Sequence, residues 1–209
     1  MLGTNPICMS VPGPNTFLLD MATTTVAAGK VKVYKLNHKP LPAGWTVDGS
    51  GQPVTDPEEA FHYVFDRPEG GITPLGGARE VGGHKGYGLA VMVHILGGVL
   101  AGASFSPIRR LTQRPSDPHN IGHFFMAIDP KAFRPVGAFE EDLDQVIDVL
   151  HDAKRAEPDQ PVLVAGDPEN LTRRERLEQG VPVPEDLMIQ LRDVAKSAAV
   201  PFVLEVARR

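Results

Sequence analysis

The sequence predicts a mixed α+β fold, and three observations carry that expectation. Short apolar runs bounded by turn residues recur along the chain, as at Thr16 to Leu19 and Val162 to Val164. Between them, apolar residues fall at helical spacing: Leu89, Met92, Val93, Leu96 and Leu100 follow i, i+3, i+4, i+7, i+11. A helix start is also written out at Asp56-Pro57-Glu58-Glu59, with Asp56 as the cap, Pro57 at the first helical position and Glu59 completing a capping box. With 209 residues and 42% apolar composition, the chain has length for one domain or a domain and a half.

Taken in order, Ile7 to Val11 reads as a strand closed by Pro12-Gly13-Pro14-Asn15, and Thr16 to Leu19 as a buried strand ending at Asp20. Val26 to Leu36 reads as a helix, and Asp48-Gly49-Ser50-Gly51 as a turn. The helix opened by Asp56 ends near Phe65. Residues 70–88 are the most glycine-dense stretch and lead into a buried helix from Tyr87, whose far end is rich in small residues from Gly97 to Ala103. Pro107 to Asn120 reads as an exposed linker, and His123 to Ile128 as a strand stopped by Asp129-Pro130. Phe139, Leu143, Val146, Ile147 and Leu150 mark a further helix, as do Leu187, Leu191, Val194 and Ala198; Phe202 to Val206 reads as a last strand.

The net charge of −5 argues against a nucleic-acid or anionic-membrane surface, while leaving room for a local basic site. Cys8 is the single cysteine, so neither an intrachain disulfide nor a cysteine-based zinc site can form. Its neighbours Ile7 and Met9 suggest a buried structural thiol. The N-terminus has no basic flank and no long apolar run, and Tyr87 to Phe105 is interrupted by His94 and glycines; a cytoplasmic protein with no membrane span is the expectation. His84, His94, His119 and His123 show no metal-ligand spacing, so no metal is expected. The acidic run Glu140, Glu141, Asp142, Asp144 suits the start of a helix and reads as a solvated face.

Three segments could carry chemistry. In Gly76 to Gly88 the glycines permit close backbone approach, free N–H groups before the helix favour a phosphate, and Lys85 adds a charge. The same residues also suit a glycine loop entering a buried helix. The segment matches neither a Walker A motif nor G-x-G-x-x-G. Asp20 to Thr25 places a carboxylate and hydroxyls after a strand, where they could hold ribose or phosphate, or cap the next helix. Ala165-Gly166-Asp167, followed by Arg173, Arg174 and Arg176, could wall an anionic ligand or be surface charge on a helix.

The ordered set Gly3-Thr4-Asn5-Pro6, Asp20-Met21-Ala22-Thr23-Thr24, Leu41-Pro42-x-Gly44-Trp45, Thr55-Asp56-Pro57, Pro74-Leu75-Gly76-Gly77, Gly83-His84-Lys85-Gly86-Tyr87-Gly88-Leu89 and Gly122 to Pro130 resembles the malate/L-lactate dehydrogenase family. That family includes ureidoglycolate, diketogulonate and piperideine-carboxylate enzymes, and the resemblance runs to about Val183. It implies a non-Rossmann fold, a largely antiparallel sheet flanked by helices. Residues 1–137 would then hold most of the NAD(P)-binding domain, and 138–209 a C-terminal segment of a second, helical domain. It implies NAD or NADP contacts at Asp20, Met21, Ala22, Thr23, Thr24, His84, Lys85 and Gly86. Contact is also implied at Gly166 and Asp167, where the family usually has Pro-Gly-Glu. Thr4 matches a position near the substrate carboxylate. The implied partners are a 2-oxo or 2-hydroxy acid and a second subunit in a homodimer.

In the family a Ser-His pair and an Arg precede Gly-Thr-Asn-Pro; the His exchanges the proton and the Arg holds the carboxylate. The chain has no counterpart of them, so the catalytic residues are left unassigned and a truncated form is expected. The leading expectation is an NAD(P)-dependent oxidoreductase, with the cofactor supplying the redox chemistry. The alternative is a non-catalytic nucleotide-binding or interaction module derived from the family.

Overall fold

The computed structural model describes residues 2–13, 16–104, 114 and 116–204. The chain divides into two compact units: one of Met1–Thr25 with Pro74–Gln179, the other of Val26–Thr73 with Gly180–Arg209. The expected boundary between residues 137 and 138 falls inside the first of these units. Most of the expected linker, Pro107 to Asn120, lies outside the described residues.

The first unit opens with an antiparallel hairpin of β1 (Ile7–Val11) and β2 (Phe17–Met21), in register from Ile7 opposite Met21 to Val11 opposite Phe17. The hairpin is open to solvent on much of its surface, so two expectations are corrected. Cys8 is exposed, paired with Asp20 across the ladder, and β2 is not a buried strand. The reason is that a two-stranded ribbon has two faces and two edges to cover, and apolar neighbours in sequence do not supply the cover.

Helix α3 (Gly83–Val93) starts four residues earlier than Tyr87 and passes into a π-helical turn, His94–Val99. Its buried face is Gly83, Gly86 and Ala90, continued by Gly98. The apolar stripe expected to face the core is covered only in part: Leu89, Val93 and Leu96 are half-buried, while Met92 and Leu100 are exposed. Small residues win the inner face because the backbone of residues 75–77 approaches the helix closely. Further on lie α4 (Ala138–His151), which buries Ile147, and α5 (Asp167–Gln179), which buries nothing. The acidic start of α4 sits on its first turn, with Asp142 paired to Arg134 at 2.6 Å.

Two further strands expected in this unit do not form. Residues 121–129 are extended but unpaired among the described residues, and 162–164 likewise belong to no sheet. β-propensity describes fit to a pleated surface, and a strand needs a neighbour to be one.

The second unit packs α1 (Ala28–Leu36) against α2 (Pro57–Phe65) around Val26, Val31, Leu41, Val54 and Ala60. Asp56 caps α2 as expected, its Oδ1 accepting the Glu59 N–H at 2.8 Å. The short strands β3 (Thr46–Val47) and β4 (Gly71–Ile72) pair antiparallel, and the buried Thr46 hydroxyl donates to the Val54 carbonyl at 2.7 Å. Helix α6 (Glu185–Ser197) packs on α1, burying Met188, with Asp186 3.2 Å from His38. No strand forms over 202–204, and the rest of the expected last strand lies outside the described residues. No described helix is long and apolar enough to cross a membrane.

Candidate functional site

The segment after β2 is tied to the glycine-rich turn by main-chain bonds and one side-chain bond. Thr24 bridges Pro74, the Leu75 N–H donates to the Thr23 carbonyl at 3.0 Å, and the Thr25 hydroxyl donates to the Pro74 carbonyl at 2.8 Å. Thr4 is drawn in as well: its carbonyl accepts the Thr23 N–H at 2.9 Å and the Thr23 hydroxyl at 3.1 Å. Thr4, the Asp20–Thr24 segment and the Gly76–Lys85 turn therefore converge, although they are far apart in sequence. Thr23 itself is 0% exposed, and its N–H, carbonyl and hydroxyl are all used within the chain. It builds the junction, while Asp20 is exposed and Met21, Ala22 and Thr24 are half-buried around it.

Beyond the junction the chain makes a 3₁₀ turn at Arg79–Val81 and enters α3 through Gly82, which has φ +100°. The left-handed conformation there is natural for glycine. The helix then rests on the turn's own backbone. A Cβ at Gly83 would collide with the Gly77 carbonyl, and one at Gly86 with the backbone of Leu75. Gly86 thus serves packing, and its small size is consumed inside the protein. The backbone also offers fewer free donors than the glycines suggest, because the Gly83 N–H goes to Ala78 and the Lys85 N–H to Gly82.

What remains available is side-chain chemistry. Lys85 lies in the first turn of α3 with its stem alongside Gly82, and no carboxylate pairs with it among the described residues. A lysine at the positive end of a helix is an anion-attracting arrangement. Beside it an open cavity of about 540 Å³ is lined by Pro74, Gly77, Arg79, Gly83, His84 and Tyr87. Its volume is within the range of small-molecule sites. Arg79 and Tyr87 were not singled out from the sequence; Tyr87 follows His84 by three residues, which puts both on one helix face.

The third segment meets β2 at its other end. The Leu18 N–H donates to the Ala165 carbonyl at 3.0 Å, and Gly166, at φ +107°, lies against Leu18. Leu18 and Thr24 are six residues apart, about 20 Å at the rise of an extended chain. Asp167 begins α5 and is held from two sides: its Oδ2 accepts the Val164 N–H at 2.8 Å and pairs with His151 Nε2 at 2.7 Å. The Val164 bond, then the His151 bond, hold its carboxyl below the usual carboxylate range against some desolvation. The His151 pairing, sixteen residues away in sequence, carries no motif that could have announced it. Arg173 and Arg174 are exposed on α5 and Arg176 is half-buried, and none of the three lines the cavity.

The malate/L-lactate dehydrogenase family profile matches residues 1–192. The chain belongs to this family. It is 37% identical over 202 residues to the malate dehydrogenase of Pyrococcus horikoshii, covering 96% of this chain and 54% of that one. To the malate/(S)-sulfolactate dehydrogenase of Methanothermus fervidus it is 33% identical, covering 93% and 52%. Among solved structures, the Pyrococcus horikoshii malate dehydrogenase aligns with a TM-score of 0.75 at 33% identity, covering 97% of this chain and 53% of that one. The malate dehydrogenase of Entamoeba histolytica aligns at 0.83 with 24% identity, covering 95% and 56%, a likeness of fold. The family's mixed fold, with antiparallel pairing flanked by helices, is what the structure contains. This family member spans about half the length of the curated relatives it matches.

Proposed function

We propose that this chain carries the dinucleotide site of an NAD(P)-dependent oxidoreductase acting on 2-hydroxy acids and their 2-oxo counterparts. The carrying observation is the junction of Thr23–Thr25 with Pro74–Leu75, which sets the end of β2 beside the cavity bordered by α3. Relatives named malate, sulfolactate and hydroxycarboxylate dehydrogenases support the substrate class. One relative, from Escherichia coli, is named ureidoglycolate dehydrogenase (NAD(+)).

The residues present fit such a cofactor. Lys85 at the start of α3 meets a phosphate with a charge, Arg79 adds a second cation at the cavity rim, and Tyr87 and His84 offer ring faces. The Gly166–Asp167 turn, which lies against Leu18 at the other end of β2, is assigned the far part of an extended dinucleotide. Thr4 lies beside the same junction and takes the part near the substrate carboxylate. A bound nicotinamide would supply the hydride donor or acceptor; the protein supplies position and electrostatics. In this reading residues 1–137 form most of the cofactor domain, 138–209 belong to a second domain, and the working form is a cytoplasmic homodimer.

Calorimetric titration with NADH and with NADPH tests the reading and ranks the two cofactors. Lys85→Ala should weaken binding by roughly 1.5–3 kcal/mol, the worth of a hydrogen bond to a charged group. Equal affinities would remove Lys85 from the site, and no binding by the unmodified chain would overturn the reading. Sedimentation at micromolar concentration checks the dimer; a clean monomer counts against it.

A further inference from the structure

Asn5 joins two parts of the first unit that are distant in sequence. Its backbone is in the left-handed region, φ +37°, which asparagine enters more readily than most residues with a side chain. Its carbonyl accepts the Thr23 hydroxyl at 3.0 Å, beside the two bonds that Thr23 makes to the Thr4 carbonyl. Its side chain reaches α3: Nδ2 donates to the Ala90 carbonyl at 2.8 Å. That carbonyl also accepts the His94 N–H, so both of its lone pairs are used, and the π-helical turn His94–Val99 follows. One residue thus spans from the Thr4–Thr23 junction to the far half of α3. Residues held in sparsely populated backbone regions cluster at ligand sites and switches.

The place of Ala90 gives that bond its leverage. Of the cavity's lining residues, Pro74, Gly77 and Arg79 precede α3, and Gly83, His84 and Tyr87 lie on it. The shape of the cavity is therefore set by how α3 is held against the turn. Gly83 and Gly86 rest on the backbone of residues 75–77, which holds only the first turn of the helix. Asn5 holds it again at Ala90, about 6 Å beyond Gly86 at 1.5 Å per residue. We propose that Asn5 is a positioning residue for the dinucleotide site, its amide fixing the turns that carry His84, Lys85 and Tyr87 against the junction at Thr4 and Thr23. The assignment rests on the cofactor reading of that cavity. Glycine at position 5 would keep the backbone conformation and lose the amide. Aspartate tolerates the same conformation but sets an acceptor against the Ala90 carbonyl.

The test compares the full chain with Asn5→Gly and Asn5→Asp, by NMR without cofactor and by calorimetry with NADH and NADPH. Without cofactor, the ring signals of His84 and Tyr87 should shift in both variants, while those of Trp45, in the second unit, stay in place. Melting should fall by no more than about 4 °C, the worth of one hydrogen bond in a chain of this length. Affinity for whichever cofactor the parent binds should fall by about 10-fold in both variants, and by less than about 2-fold where Lys85→Ala is already present. That non-additivity separates positioning from a general loss of fold, which weakens binding in either background. Unmoved ring signals overturn the proposal, and so do affinities equal to the parent's or losses that add to that of Lys85→Ala. A parent chain that binds neither cofactor overturns the dinucleotide reading itself, and the assignment of Asn5 to that site falls with it.

Discussion

Thr23 is joined to Thr4 twice, its N–H and its hydroxyl both reaching the Thr4 carbonyl, at 2.9 and 3.1 Å. The hydroxyl also lies 3.0 Å from the Asn5 carbonyl. Thr23→Val keeps the side-chain shape and deletes the donor. It should cost about 1–3 kcal/mol, because carbonyls at a buried position lose a partner. Urea denaturation measures this, and Thr23→Ser, which restores the hydroxyl, should recover most of the loss. A valine variant as stable as the parent would mean the hydroxyl contributes nothing.

Gly86 and Gly88 occupy the same helix and should respond oppositely to alanine. At Gly86 a methyl meets the Leu75 backbone, which cannot move like a side chain; Gly86→Ala should destabilise by about 1–3 kcal/mol or more. At Gly88 nothing lies within 4 Å of the added carbon, so the gain in helix propensity is unopposed, roughly 1 kcal/mol. Denaturation midpoints of the two variants, compared at equal slope, decide the matter. The same sign for both would show that α3 does not rest on residues 75–77 as described.

Asp167 ties stability to acid. Its carboxyl is held below its ordinary value, first by the Val164 N–H and then by His151. A carboxyl whose value is depressed in the folded state stabilises fully above its unfolded value, about 3.9, and that share is lost as pH falls through the folded value. Asp167→Asn should therefore flatten the fall in stability below about pH 4. His151→Gln should flatten it in part, since the Val164 bond survives. Melting temperatures from pH 2 to 6 read both; identical acid limbs for all three proteins would exclude the linkage.

How far the sequence could be read depended on the range of the interaction. Asp56-Pro57 announced α2 because a cap is a matter of three residues, and the cap formed with the expected bond. The ordered motifs reached the family for the same reason: each is short, and their order is preserved. The start of α3 was harder, since four glycines between 82 and 88 argue against a helix by propensity. Only the backbone of residues 75–77, arriving from outside the helix, makes those glycines an advantage. The outward turn of Met92 and Leu100, the exposure of Cys8 and the unpaired state of 121–129 share one cause. Periodicity says which face is apolar, and says nothing of whether a cover is present. His151 and Asp167 met through tertiary folding, beyond any local pattern.

The bond between Thr25 and Pro74 has an evolutionary side. Residues 26–73 depart from the first unit and return to it at hydrogen-bonded neighbours, so the two ends of that excursion are stapled where they begin. The entropy of closing such a loop grows only with the logarithm of its length, by about 0.6 kcal/mol per doubling. The connections between α1 and α2 can therefore be lengthened or shortened while β2 and the glycine turn keep their bonds, provided that the surface of α1 that holds α6 is kept. Thr25 and Pro74 are the doorway through which this fold absorbs such changes.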